Sequence, residues 1–339
     1  MTVQETTGVL DWSRNLVTPA LRDAVDTLPG SMRTVVGYHF GWWDERGRAT
    51  PSGTGKLLRP TLALLSAVAV GGTADDAVPA AVAVELAHNF SLLHDDVMDG
   101  DATRRHRPTA WHVFGVAAAI LAGDALLTLA FDVLAASGHP AARDCMRSLG
   151  GAVQDLIRGQ SEDTAFERRT DVSLAECLRM AEGKTAALLG NSCALGAVLG
   201  GGDADQVEHL ARFGERAGLA FQLVDDLLGI WGDPRVTGKP VYSDLRSRKK
   251  SLPVVAALTS GTAAAEELAV LYHRRNPLSH DELVVVASLV EQAGGRAWTR
   301  DRAGDLTDEA VGHLTAARPA PRAAAQLMTV AELITSRDH

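Results

Sequence analysis

From Leu57 to the C-terminus, apolar residues recur at helical spacing in segments far longer than a strand needs. Short breakers separate them, among them Gly71-Gly72, Gly138-His139-Pro140 and Gly200-Gly201-Gly202. The pattern predicts helices near 57–70, 78–99, 110–137, 143–166, 173–199 and 204–231. Shorter ones follow near 251–260, 263–275, 281–294, 298–316 and 321–335. Several are apolar over more than one face, as the central helices of a large bundle are. No run alternates polar and apolar residues as a half-buried strand does, and no fixed-period repeat is present. The fold class is therefore all-α. With no stretch of linker composition, residues 1–339 read as a single domain. Residues 1–50 are mixed, with Trp42 and Trp43 adjacent, and ATPSGTGK after them reads as a loop.

The most apolar segment, Val116 to Ala136, carries Asp124 and Asp132, which favour a buried core helix over a membrane span. The N-terminus shows no basic start followed by an apolar stretch, so no secretory signal is expected. Cys145, Cys177 and Cys193 are widely spaced and form no metal-ligand pair. They are expected as free thiols of a reducing, cytoplasmic compartment. A net charge of -9 argues against nucleic acid as a partner. It leaves an anionic substrate open, because local charge placement decides that.

The segment VELAHNFSLLHDDVMDGD puts Asp95, Asp96 and Asp99 at the end of a predicted helix. Asp95 and Asp99, at i and i+4, project from one face. Carboxylates so close repel each other unless a cation lies between them. Mg²⁺ suits such oxygen ligands best when phosphates complete its shell. A solvated, acidic helix end would explain the acids alone. The following Arg104, Arg105 and Arg107 shift the balance. A diphosphate held by metal on one side and guanidinium groups on the other accounts for both sets of charges.

A second acidic stretch reads FQLVDDLLGIWGDPRVTGKPVYSDLRSRKKSLPV. Asp225 and Asp226 follow an apolar run, and Gln222 lies three residues before Asp225. Acids in such surroundings need counter-charges, which Lys239, Arg246, Arg248, Lys249 and Lys250 are expected to supply. Between the two stretches, EGKTAALL sets Lys184 and Thr185 in a helix of small apolar residues. A lysine there can also simply snorkel to solvent.

Over roughly residues 50 to 330 the chain resembles the isoprenyl diphosphate synthases, the family of farnesyl and geranylgeranyl diphosphate synthases. Five motifs occur in the family's order: Gly55 to Pro60, Asp95 to Arg105, Gly183-Lys184-Thr185, Phe221-Gln222 through Asp226, and Gly238-Lys239 through Lys249. The resemblance implies one helical bundle of the isoprenoid synthase type, with the active site in a central cavity. It implies an isopentenyl diphosphate site at Lys56, Arg59, His88 and Arg105. It implies Mg²⁺ ligands at Asp95, Asp99 and Asp225, with three ions once the allylic diphosphate is bound. Arg104, Lys184, Gln222 and Lys239 match groups around that diphosphate, with Thr185 beside Lys184 and Lys249 on a closing loop. Arg104, Lys184 and Lys239 are the expected catalytic cations. A homodimer is also expected. One position departs from the pattern: the family's second motif usually carries a third aspartate where this chain has Gly229.

The implied reaction joins isopentenyl diphosphate to dimethylallyl, geranyl or farnesyl diphosphate, giving a longer all-trans prenyl diphosphate. A terpene cyclase on the same scaffold would have no use for the isopentenyl diphosphate residues. A non-catalytic partner subunit would typically have lost acids from the first motif. Product length is expected to depend on Phe90 and Ser91, one helical turn before Asp95. Only Phe90 is bulky, and nothing is inserted between Asp96 and Asp99. That pattern resembles the geranylgeranyl type more than the farnesyl type.

Overall fold

The computed structural model of the chain describes residues 3–50, 55–234, 240–274 and 276–335. In chain order the helices begin α1 (Val3–Asp26), α2 (Gly30–His39), α3 (Leu58–Ala69) and α4 (Val78–Met98). A two-residue strand pair follows, β1 (Thr103–Arg104) and β2 (Arg107–Pro108). Next come α5 (Ala110–Phe114), α6 (Val116–Ala136), α7 (Ala142–Phe166) and α8 (Leu174–Ala181). A π-helical turn, Glu182–Ala186, leads into α9 (Ala187–Leu199), and α10 is Ala204–Trp231. Six further helices lie at 243–246, 252–258, 263–272, 280–292, 295–316 and 321–335 among the described residues.

Two compact units emerge. One comprises Met1–Gly151, Asn191–Ala211 and Leu314–Val330, the other Ala152–Gly190, Arg212–His313 and Ala331–His339. In the first unit α4 is the axis, buried almost all round from Ala80 to Leu93 and packed against α3 and α6. Its alanines and those of α3 let backbones approach closely. A Cβ on Gly196 of α9 would lie 2.0 Å from the Ala63 carbonyl oxygen, so only glycine fits that crossing. Helix α6 buries one stripe, including Ala119, Gly123, Leu126 and Leu134, and exposes Val116, Ile120 and Leu121. By length and composition it is the one helix among the described residues that could cross a membrane.

Three expectations are corrected in this unit. Residues 1–50 are not mixed: α1 and α2 occupy most of them. Every fourth residue of α1, Val9, Ser13, Val17, Leu21 and Val25, is buried, which is one face of a helix. The helix expected over 110–137 is broken at Gly115, whose φ of 87° no α-helix accepts. A strand pair does exist, closed by Arg105 and His106 at φ 51° and 61°. Two consecutive residues at positive φ make the kind of tight turn that matches the twist of a hairpin.

The second unit buries Phe166, Cys177, Leu223, Leu252 and Leu306 in one cluster and Leu245, Tyr272, Leu283 and Val290 in another. Helix α8 starts with a reciprocal capping box between Ser173 and Glu176. Cys145, Cys177 and Cys193 are all free and buried.

Candidate active site

In the first unit, Asp95 and Asp96 stand in the last turn of α4 and Asp99 just beyond it. The negative end of a helix dipole repels acids, so their presence there favours a bound cation. The doublet splits by helix geometry: adjacent side chains diverge by about 100°. Asp96 turns inward and is 1 % exposed, whereas Asp99 is exposed and Asp95 partly so. Asp96 Oδ1 accepts a hydrogen bond from Arg104 Nε at 2.7 Å and forms an ion pair with its Nη2, also at 2.7 Å. Arg104 is thereby fixed on the last turn of α4.

The hairpin that carries Arg104 and Arg105 is anchored on α2. Tyr38 Oη donates to the Pro108 carbonyl at 2.8 Å, and Arg107 lies over the Tyr38 ring at 4.5 Å. Arg107 also donates to the carbonyls of Tyr38 and Trp43. Sequence reasoning missed this support because it missed α2. The Arg105 guanidinium rests on Gly55, where a Cβ would lie 2.7 Å from it. A side chain at position 55, at the start of the Gly55–Pro60 motif, would have to push that guanidinium aside.

Arg59, Arg105 and His88 share one electrostatic neighbourhood. Burial, then the charges of Arg59, Arg105 and Arg104, pushes the His88 pKa well below the usual histidine value. Burial, then the charges of Arg104, Arg105 and Arg107, brings His39 down to about 3. Its Nε2 lies 3.1 Å from Asn89 Oδ1, and Asn89 Nδ2 donates to Glu85 Oε1 at 2.8 Å. Burial lowers Arg59 to about 10, which still leaves it charged at neutral pH. Neutral imidazoles among guanidinium groups make a place suited to an anion. Lys56 is exposed.

Phe90 and Ser91 are both buried, 6 % and 7 % exposed. The Phe90 ring packs edge-on against His94, with centroids 4.9 Å apart. His94 in turn fills the space a side chain at Gly123 would need, 2.3 Å from its Cβ position. Ser91 Oγ donates to the His88 carbonyl at 2.8 Å.

In the second unit the π-turn Glu182–Ala186 carries Lys184 and Thr185, and such bulges redirect side chains within a helix. Lys184 does not snorkel to solvent: its Nζ binds Asp163 Oδ2 at 2.6 Å. Asp163 is a partner that sequence reasoning missed. Thr185 Oγ1 donates to Gln222 Oε1 at 2.6 Å, and Gln222 Nε2 donates to Asp226 Oδ1 at 2.9 Å. Asp226, 2 % exposed, also accepts the Leu252 N–H at 2.8 Å and faces Lys249 Nζ at 3.6 Å. Burial works against the Lys249 charge, but Asp226, Asp244, Asp163 and Asp225 outweigh it and hold the pKa well above the usual lysine value. Asp225 is exposed.

The expected set of counter-charges is corrected here. Of the described basic residues on the loop, Lys249 serves Asp226. Arg248 donates instead to the carbonyls of Tyr272 and Asn276, and Lys250 is buried over the Tyr272 ring at 5.5 Å. Arg246 is exposed. Lys239 lies outside the described residues. Among the described residues, no three His, Cys, Asp or Glu side chains converge as ligands of a single ion. Oxygen donors from a diphosphate would be needed to complete a magnesium shell.

The sequence matches the polyprenyl synthetase family over residues 42–289. It is 49 % identical to (2E,6E)-farnesyl diphosphate synthase of Mycobacterium tuberculosis, across 98 % of this chain and 94 % of that one. It is 44 % identical to a geranylgeranyl diphosphate synthase of the same species, with the same coverage of both chains. The crystal structure of polyprenyl synthetase from Streptomyces coelicolor superposes with a TM-score of 0.93 at 48 % identity, over 97 % of this chain and 99 % of that one. The chain belongs to the polyprenyl synthetase family. It has the family's all-α fold and is a trans-prenyltransferase.

Proposed function

We propose that the enzyme condenses isopentenyl diphosphate with an allylic diphosphate, from dimethylallyl to farnesyl, in a Mg²⁺-dependent reaction. The observation that carries this reading is the split of each acidic doublet. Asp96 and Asp226 are buried on cations of the protein, whereas Asp99 and Asp225 are exposed and Asp95 is partly so. Those three are the proposed metal ligands, for three Mg²⁺ ions once the allylic diphosphate is bound. When bound, Mg²⁺ neutralises charge on the leaving diphosphate. Arg104, Lys184 and Lys239 are assigned to the charge that develops as the allylic C–O bond breaks. Gln222 and Thr185 position the Lys184 side of that set, and Lys249 steadies Asp226. Lys56, Arg59, His88 and Arg105 hold isopentenyl diphosphate so that its double bond attacks the allylic C1. The proton then lost from the new chain goes to the departing diphosphate. Alignment of two substrates can contribute about 7–11 kcal/mol of the barrier reduction.

The family match runs through segments of both units, which supports reading the chain as one catalytic domain. The exposed apolar stripe Val116, Ile120 and Leu121 supports a homodimer. A cytoplasmic location fits three free, buried thiols. For product length, the small Ser91 supports a twenty-carbon product, geranylgeranyl diphosphate. The 49 % identity to a farnesyl diphosphate synthase supports a fifteen-carbon product as the second reading. Purified protein is incubated with dimethylallyl diphosphate and Mg²⁺, with and without isopentenyl diphosphate. An elongated diphosphate formed only with both substrates supports the proposal. Hydrocarbon from the allylic substrate alone would make the protein a cyclase, and no product would make it a non-catalytic subunit.

A further inference from the structure

The space left by the missing third aspartate of the second motif is filled by another carboxylate. A Cβ placed on Gly229 would lie 2.3 Å from Asp244 Oδ2, 2.4 Å from its Cγ and 2.7 Å from its Oδ1. The whole carboxyl group of Asp244 therefore stands where a side chain at 229 would begin. Any residue but glycine at 229 must displace it.

Asp244 reaches this place from the short helix Ser243–Arg246 and is 9 % exposed. The approach is built rather than incidental. Tyr242, just before that helix, takes a left-handed φ of 64°, and its N–H donates to the Ile230 carbonyl at 3.2 Å. Ser243 Oγ lies 3.2 Å from both the Gly229 carbonyl and Asp244 Oδ1. On the far side, the Asp244 carbonyl accepts the Lys249 N–H at 2.9 Å. These bonds tie the loop to the last turns of α10.

Position 229 follows Asp225 by four residues, so the two share a helix face. Seated at 229, the Asp244 carboxylate stands one turn along from Asp225. This repeats the spacing of Asp95 and Asp99 in the first motif.

We propose that Asp244 is the third carboxylate of the second acidic motif, delivered through space to the position Gly229 leaves open, and that it serves the same magnesium–diphosphate group as Asp225. The inference rests on the function proposed above and adds one residue to it. Gly229 and Asp244 then form one exchangeable pair, in which the carboxylate can hang from either position provided the other is small.

The test is a carboxylate transplant. Asp244→Ala, Gly229→Asp and the double variant Gly229→Asp/Asp244→Ala are compared with wild type. Each is titrated with Mg²⁺ in the presence of inorganic diphosphate, and the rise in melting temperature is read against that variant's own metal-free value. Elongation rate against Mg²⁺ is measured in parallel. Asp244→Ala should raise the Mg²⁺ concentration for half-maximal stabilisation by about tenfold or more. The double variant should recover most of that loss. Gly229→Asp alone should do worse than the double variant, because two carboxylates then compete for one space. A wild-type titration curve in Asp244→Ala would overturn the proposal, as would a double variant no better than Asp244→Ala. If Asp244→Ala does not fold, Asp244→Ser, equally short of the space at 229, takes its place, alone and combined with Gly229→Asp, under the same two expectations. A wild-type protein that neither elongates nor gains stability from Mg²⁺ with inorganic diphosphate would overturn the functional reading itself.

Discussion

In the first acidic motif the second aspartate is buried against an arginine, and in the second motif it is buried against a lysine. Asp96 holds Arg104 at 2.7 Å, and Asp226 faces Lys249 at 3.6 Å with Gln222 and the Leu252 N–H as further partners. In both motifs the first aspartate stays accessible. Adjacent residues on a helix cannot share a face, so an Asp-Asp doublet assigns one acid to the interior and one to the surface. The inward acid can orient a cation of the protein while the outward one faces the side from which a metal would approach. The motifs differ one turn further on. There the first carries its own Asp99, and the second carries Gly229 with Asp244 seated over it. A motif read as a string of letters misses that substitution, whereas packing shows it.

The largest effect is expected where the comparison is most literal. Asp95→Ala should reduce turnover about a hundredfold to a thousandfold or more at saturating Mg²⁺, with the helical circular dichroism retained. Near-normal turnover would remove the outer acid from the metal assignment. Asp96→Ala should act differently and cost stability. It leaves Arg104, 30 % exposed, without its buried partner, for a loss of about 1–3 kcal/mol in urea unfolding. An Asp96→Ala protein as stable as wild type would end the division into inner and outer acids.

A smaller effect concerns pH and the first unit. His39 and His88 have depressed folded-state pKa values, so the unfolded chain takes up protons first as pH falls. Their contribution is full above the ordinary histidine value of about 6.5 and declines below it, for His39 toward about 3. The melting temperature should fall as pH drops from 7 to 5, and His39→Asn should flatten that fall. An equally steep fall in the variant would show that other groups carry the pH dependence. The subtlest effect concerns the product. Phe90→Ala should lengthen it and Ser91→Phe should shorten it, as read by chromatography of the dephosphorylated alcohols. Unchanged distributions in both would place the chain-length determinant elsewhere.

Much of this was legible in the sequence because it is local. The helix limits at 58–69, 78–98, 142–166 and 204–231 lie within one residue of those predicted from periodicity and breakers. The motif acids needed only their own letters. Helix α1 was missed because Pro19 and a polar composition mask its every-fourth apolar stripe. The partners of the site residues were missed for another reason. Asp163 lies 21 residues from Lys184, and Asp244 lies fifteen positions after Gly229. A single sequence does not reveal which acid folds onto which cation or into which gap. The basic run Arg246 to Lys250 also misled, since charge in a sequence does not say which residue caps a carbonyl, as Arg248 does, and which faces an acid, as Lys249 does.

The division within each doublet is tested most directly at the adjacent pair Asp225 and Asp226. Asp225→Asn and Asp226→Asn change one atom each at neighbouring positions, and both turnover and urea stability are measured for each. Asp225→Asn should lose turnover about a hundredfold or more and keep its stability within about 0.5 kcal/mol. Asp226→Asn should lose about 1–3 kcal/mol of stability, because Lys249 and the Leu252 N–H then face a neutral amide. Undiminished turnover in Asp225→Asn, or a stability loss confined to Asp225→Asn, would contradict the account.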